Sequence, residues 1–293
     1  MRLLWRLAAV LGFLALTVWL IATDSAPAAE GLGSRPSWRH DPLWDDGKAE
    51  YALYEATWAR YGRLFPGRAL LVLVKEPWAP DLDVKADTPR PGGFDVLKLN
   101  HLRDVPTGIY TYHQMASVFL RRDDGSLRKL AATSSEACGV ATALVRGGRL
   151  QTHSYFDRQG DREQSWPEGA LAEDGLPASL RDLVAADPLP AELEVFPSLM
   201  SGRYPPALRP TRYRVTRSAA KVRVPAGELA GVEVRLTHGD EFLSYTFESA
   251  APHRLLELRR ADGTAYRLVK SERLAYWKLN RPGDESWIPP ALR

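Results

Sequence analysis

Cys138 and His153 are the two side chains whose types could together carry out a reaction. A thiol beside an imidazole is a pairing of nucleophilic catalysis: the base holds the thiolate, and a carboxylate holds the base. Glu136 and Asp157 could supply that carboxylate. On a strand, Glu136 and Cys138 share one face, and so do His153 and Asp157. No feature of the sequence brings the two strands together. Cys138 is also the chain's single cysteine, so no intrachain disulfide can form. A lone cysteine behaves as a small core residue. The expectation is a buried structural Cys138, with a thiol-dependent hydrolase or transferase using Cys138 and His153 as the alternative.

Other chemistries find less support. The six histidines, His40, His101, His113, His153, His238 and His253, show no His-x-His and no zinc-binding helix pattern. Asp81, Asp83 and Asp87 lack the glycine and closing glutamate of a calcium loop and read as a solvated acidic loop. There is no Gly-x-Ser-x-Gly and no phosphate-cradling loop, and no metal or cofactor is implied. Arg121, Arg122, Arg128 and Lys129, with Arg259, Arg260 and Arg267, could meet lipid phosphates. The net charge of +3 is close to balance, which favours charged hairpin edges and argues against nucleic-acid binding.

The elements that would position these groups are strands. Tyr110 to Leu120 places Tyr110, Tyr112, Ala116, Val118 and Leu120 on one face. Leu150 to Asp157 and Gly231 to His238 alternate in the same way, as a sheet with one buried face requires. Leu70 to Val74 is continuously apolar, as a strand covered on both faces would be. Tyr51, Tyr54, Trp58 and Tyr61 fit a helical stripe as well as a strand, and aromatic content favours the strand. Asp46-Gly47, Asp124-Gly125 and Asp262-Gly263 mark turns that need positive φ. The clearest helix is Pro177 to Ala186, with Leu180, Leu183 and Val184 as its stripe.

The N-terminus reads as an export signal. Arg2 and Arg6 precede or open an apolar run from Leu7 to Ala22, and Ala26-Pro27-Ala28 offers a cleavage site after Ala28. The run is about 16 residues, short of the ~20 that span hydrocarbon. If uncleaved, it would anchor the chain in the inner membrane. The expected organisation is a signal peptide (1–28), a flexible linker (29–41), an N-terminal β lobe (42–166), a linker with a short helix (167–190) and a C-terminal β lobe (191–293). The two lobes could form one continuous domain.

Several phrases resemble an uncharacterised family of exported bacterial proteins: Trp44-Asp45-Asp46-Gly47-Lys48, Asp104-Val105-Pro106-Thr107-Gly108, Gln114-Met115-Ala116-Ser117-Val118 and Ser134-Ser135-Glu136-Ala137-Cys138-Gly139. Some of its members carry the label septum formation inhibitor. That name belongs to cytosolic nucleotide pyrophosphatases, whose motifs do not occur here. Val224-Pro225-Ala226-Gly227, Tyr245-Thr246-Phe247, Pro252-His253-Arg254 and Tyr276-Trp277 resemble a domain of unknown function with a lipoprotein-carrier-like half-barrel. That resemblance implies no catalytic residues.

The combined expectation is a mainly β protein with a curved antiparallel, half-barrel-like sheet and a short connecting helix. It would be periplasmic or secreted, and a non-catalytic carrier for an apolar or lipid-like ligand. Tyr245, Phe247, Leu256 and Leu258 would line the concave face. An envelope scaffold contacting other envelope proteins is a further alternative.

Overall fold

The computed structural model describes residues 38–204 and 207–292. The proposed leader and its cleavage site lie outside the described residues. No helix among those described is long and apolar enough to cross a membrane.

The fold is mainly β. The strands are β1 (Ala49–Arg60), β2 (Arg63–Ala79), β3 (Val84–Lys85), β4 (Phe94–Thr107), β5 (Tyr110–Arg121), β6 (Leu127–Glu136), β7 (Gly139–Arg146), β8 (Arg149–His153), β9 (Arg162–Ser165) and β10 (Leu171–Ala172). They continue with β11 (Glu192–Phe196), β12 (Thr211–Val224), β13 (Gly227–His238), β14 (Glu241–Glu248), β15 (Leu255–Arg260) and β16 (Ala265–Leu274). All belong to one sheet, in which β16 pairs with β1 and so joins the two halves of the chain edge to edge. The sheet curves without closing, and the short strands β9 and β10 form its ends.

Alternation decides which face is buried. Tyr112, Ala116, Val118 and Leu120 of β5 point inward, as do Val234 and Leu236 of β13. Tyr51, Tyr54 and Trp58 lie on strand β1, not on a helix. Leu71 and Leu73 join the main core, whereas Val72 and Val74 belong to a second cluster on the outer face, so this stretch is covered on both sides. Tyr51 and Tyr276 pack against that outer cluster, and the Trp287 ring stands edge-on to Tyr51.

The inner face is filled by the segment between β9 and β12. Its helix is shorter than the 177–186 expected: an α-turn at Leu176–Ser179 runs into a 3-10 turn at Leu180–Leu183. Two buried arginines and the half-buried Arg103 tie this segment down. Arg181 makes two bonds to Glu50, of 2.6 and 3.0 Å, and Arg39 pairs with Asp182. Arg103 donates to the Met200 carbonyl at 2.8 Å. The segment's apolar contacts, tied down by cations that would be costly to strip bare, outweigh longer helix formation.

The linker boundary moves as well. Trp38 and Arg39 are buried, and Trp44 Nε1 donates to the Trp38 carbonyl at 2.9 Å, so residues 38–41 are packed structure and not tether. Strand β8 stops at His153, short of the Asp157 expected.

Candidate functional site

Cys138 is exposed, not buried as expected. The β6–β7 hairpin pairs Glu136 with Gly139, which leaves Ala137 and Cys138 as its two-residue turn. The Glu136 carboxylate accepts from the Cys138 N–H at 2.6 Å and also from the Tyr155 hydroxyl. Hydrogen bonding to that carboxylate, and its charge, raise the Cys138 thiol pKa. The thiol is thereby held in its protonated, weakly nucleophilic form.

His153 is not its partner. It pairs with Thr142 on β7, three residues into that strand from Gly139, about 10 Å along it from the turn that holds Cys138. Its Nδ1 lies 3.2 Å from Asp161, and Asp157 instead caps the N–H of Arg158 at 2.8 Å. Because β8 has already ended, Asp157 sits in a turn and shares no strand face with His153.

Tyr245, Phe247, Leu256 and Leu258 are all buried in the single main core with Leu176, Leu180 and Leu183. Tyr245 stands opposite Leu258, as the spacing implies. A β-bulge at Thr246 and Phe247 puts Leu255, not Leu256, opposite Phe247. Leu256 Cδ1 instead lies 3.3 Å from where a Gly231 Cβ would stand, beside the Thr246 methyl. The enclosed space next to Tyr245 and Leu258 is about 20 Å³, room for one water. The inner face at these residues is filled by the chain's own side chains.

An open concavity lies on the outer face, a groove of about 850 Å³. Cross-strand register builds its floor. Arg267, Glu55, Arg68, Asp104, His113 and Ser135 stand opposite one another on β16, β1, β2, β4, β5 and β6; the first five line the groove and Ser135 continues the row past it. The charges alternate along this row, and neighbouring pairs bond. Arg267 reaches Glu55 at 2.6 Å, Arg68 Nε reaches Asp104 at 2.8 Å, and His113 Nδ1 lies 2.7 Å from the other Asp104 oxygen. Opposite charges facing each other across strands stabilise the pairing and set its register. Gly67 permits the close approach of β2 and β4 beneath the row, since a Cβ there would fall 2.3 Å from the Asp104 carbonyl oxygen. Pro289 and Leu292 of the C-terminal segment wall one side, and Arg68 Nη1 donates to the Leu292 carbonyl at 2.7 Å.

No family model, curated protein or solved structure matches this chain. What the groove can do must come from its own atoms.

Asp104, His113 and Ser135 have the residue types of an acyl-transfer triad. Their geometry does not complete one. The Ser135 hydroxyl is turned to the His113 carbonyl at 3.4 Å, and the strand ladder occupies the surrounding backbone N–H groups that would otherwise hold an oxyanion. What the groove offers is a row of oriented donors and acceptors above proline and aliphatic walls, which suits binding. The strand pattern alone puts Asp104, His113 and Ser135 on outward positions, but nothing local in the sequence announces that three separate strands align them.

In the acidic loop 81–87, Asp81 and Asp87 are exposed as expected, and Asp83 is not. Asp83 is buried, bonded by Arg128 at 2.7 Å and Arg146 at 3.1 Å. Among the basic groups singled out for lipid phosphates, Arg122 pairs with Asp45, Arg260 with Glu173 and Arg267 with Glu55. No group of three or more metal-ligating side chains occurs among the described residues.

Proposed function

We propose that this is an exported cell-envelope binding module whose ligand site is the outer-face groove, and that the ligand is a peptide segment. The observation that carries this is the Arg68–Leu292 bond. A peptide carbonyl already sits in the groove, held by an arginine that Asp104 orients. A groove of about 850 Å³ falls within the range of small-ligand sites, ~300–1,000 Å³.

Magnitudes weigh against the inner face as a carrier cavity. An acyl ligand there would have to displace Leu176, Leu180, Leu183, Phe196, Leu199 and Met200, all fully buried. Their burial is worth roughly 9–18 kcal/mol at ~1.5–3 kcal/mol each. Micromolar binding supplies about 8 kcal/mol. The thiol-enzyme reading loses its imidazole to Asp161, and the carboxylate beside the thiol, Glu136, raises the thiol pKa.

Export rests on the leader alone, and a reporter active only outside the cytoplasm, fused after residue 40, tests it: a silent fusion removes the localisation. The peptide reading is tested by probing an array of random 12-residue peptides with the wild-type protein and with Arg68→Gln. Retention of a related set of peptides by the wild type, lost in the variant, is the expected result. No retention, or retention indifferent to the substitution, overturns the reading.

A further inference from the structure

The β1–β2 and β4–β5 hairpins end side by side at one end of the sheet. Their tips carry Arg60, Tyr61, Gly62, Arg63 and Leu64, and Thr107, Gly108, Ile109, Tyr110 and Thr111. Ile109 is wholly exposed, Tyr61 is 62% exposed and Leu64 is 55% exposed. Leu64 also lies against Gly263 of the neighbouring β15–β16 turn. The tyrosines are clustered: the Tyr61 hydroxyl is 2.6 Å from that of Tyr112 and 3.2 Å from that of Tyr110. Arg60 lies over the Tyr112 ring at 3.9 Å.

The backbone singles out Tyr61. Arg60 pairs with Arg63, so Tyr61 and Gly62 form a two-residue turn, with φ of 52° and 70°. A turn with both central residues at positive φ takes Asn-Gly or Asp-Gly most readily. A tyrosine there adopts a strained conformation that the other hairpins leave to smaller residues, and burial does not compensate a side chain this exposed. The position holds an aromatic ring with a hydroxyl, pointed outward beside its two partners.

Charge decides what such an edge would meet. The two tips contain two arginines and no Asp or Glu. Neither arginine forms an ion pair with a described residue, unlike Arg122, Arg260 and Arg267 farther from the tips. Arg60 is half-buried against the tyrosine rings, whereas Arg63 is exposed. Aliphatic points, a belt of tyrosines and an exposed cation are the combination that seats at a bilayer's headgroup boundary. A sugar or peptide site would have little use for an isoleucine standing alone in solvent.

We propose that the β1–β2 and β4–β5 tips form a docking edge for an anionic lipid bilayer, with Ile109 and Leu64 entering the acyl boundary and Arg63 meeting lipid phosphates. This edge adjoins the groove, which Pro66, Pro106 and Thr111 line, but Ile109, Leu64 and Arg63 are not part of that lining.

The test uses the full chain with Cys138→Ser, so that one introduced cysteine carries a polarity-sensitive NBD fluorophore. The label is placed at Ile109→Cys or at Asp123→Cys, which lies in the turn at the other end of β5, about 40 Å away. Vesicles of phosphatidylglycerol and phosphatidylethanolamine are compared with pure phosphatidylcholine. The expected result is a blue shift and quenching by lipid-borne doxyl groups at 109 and not at 123, stronger with the anionic vesicles. Arg63→Gln should weaken the apparent affinity read at 109 about fivefold. A leader that binds alone would leave 109 in water. No shift at 109, an equal shift at 123, or indifference to Arg63→Gln overturns the proposal.

Discussion

Asp174 and His101 lie together under the inner segment, and removing one should expose the other in the pH dependence of stability. His101 Nδ1 is 3.3 Å from the Asp174 backbone carbonyl, and its Nε2 is 2.8 Å from the Tyr266 hydroxyl. Burial, offset in part by Arg103 and by the Ser198 hydroxyl, raises the Asp174 pKa from 3.8 to about 6. Burial and the neighbouring Arg103 lower the His101 pKa from 6.5 to about 3. Between pH 4 and 6 the folded Asp174 holds a proton that the unfolded chain releases, so its contribution to stability falls as pH rises. Over the same window the folded His101 is neutral while the unfolded imidazole takes up a proton, so its contribution rises with pH. The two slopes, each about 1.4 kcal/mol per pH unit, cancel. Asp174→Asn keeps an acceptor for the Leu199 N–H, which Asp174 binds at 2.8 Å. The variant should therefore gain on the wild type as pH rises from 4 to 6, by up to about 3 kcal/mol in all. Urea unfolding followed by tryptophan fluorescence at pH 4, 5, 6 and 7 measures this. A difference between the two proteins that is constant with pH would refute the reasoning.

Three further outcomes follow from the packing. Glu50→Gln leaves Arg181 buried without its bidentate partner and should cost about 3–5 kcal/mol in chemical denaturation. Leu256→Trp should destabilise by at least ~1–3 kcal/mol, because that position is filled core; a variant as stable as the wild type would mean that the space is open. Glu136→Gln should speed maleimide labelling of Cys138 at pH 7.5, since the carboxylate that raises the thiol pKa is gone; unchanged labelling would show that the carboxylate has no hold on it.

Period-two alternation made most of the sheet legible, because a strand with one buried face writes its pattern locally. Tyr112, Ala116, Val118 and Leu120 fell where the alternation placed them. The continuous run at Leu70 to Val74 likewise marked a strand covered on both faces. What stayed hidden was set by pairing between distant strands. Cys138 sits in a turn because Glu136 pairs with Gly139, and no nearby residue type signals that. The outer row from Arg267 to Ser135 depends on the register of six strands, two of them more than 100 residues apart in sequence. The inner segment was expected as a longer helix bridging two lobes. Its burial became visible only once Glu50 and Asp182 met Arg181 and Arg39 across the core.

The most direct test of the outer-face site is calorimetric titration of a peptide retained on the array into the wild-type protein and into Arg68→Gln. The account predicts saturable binding to the wild type and at least tenfold weaker binding to the variant, because Arg68 supplies the donor that already holds the Leu292 carbonyl. Equal affinity for the two proteins, or no saturable heat with either, would contradict it.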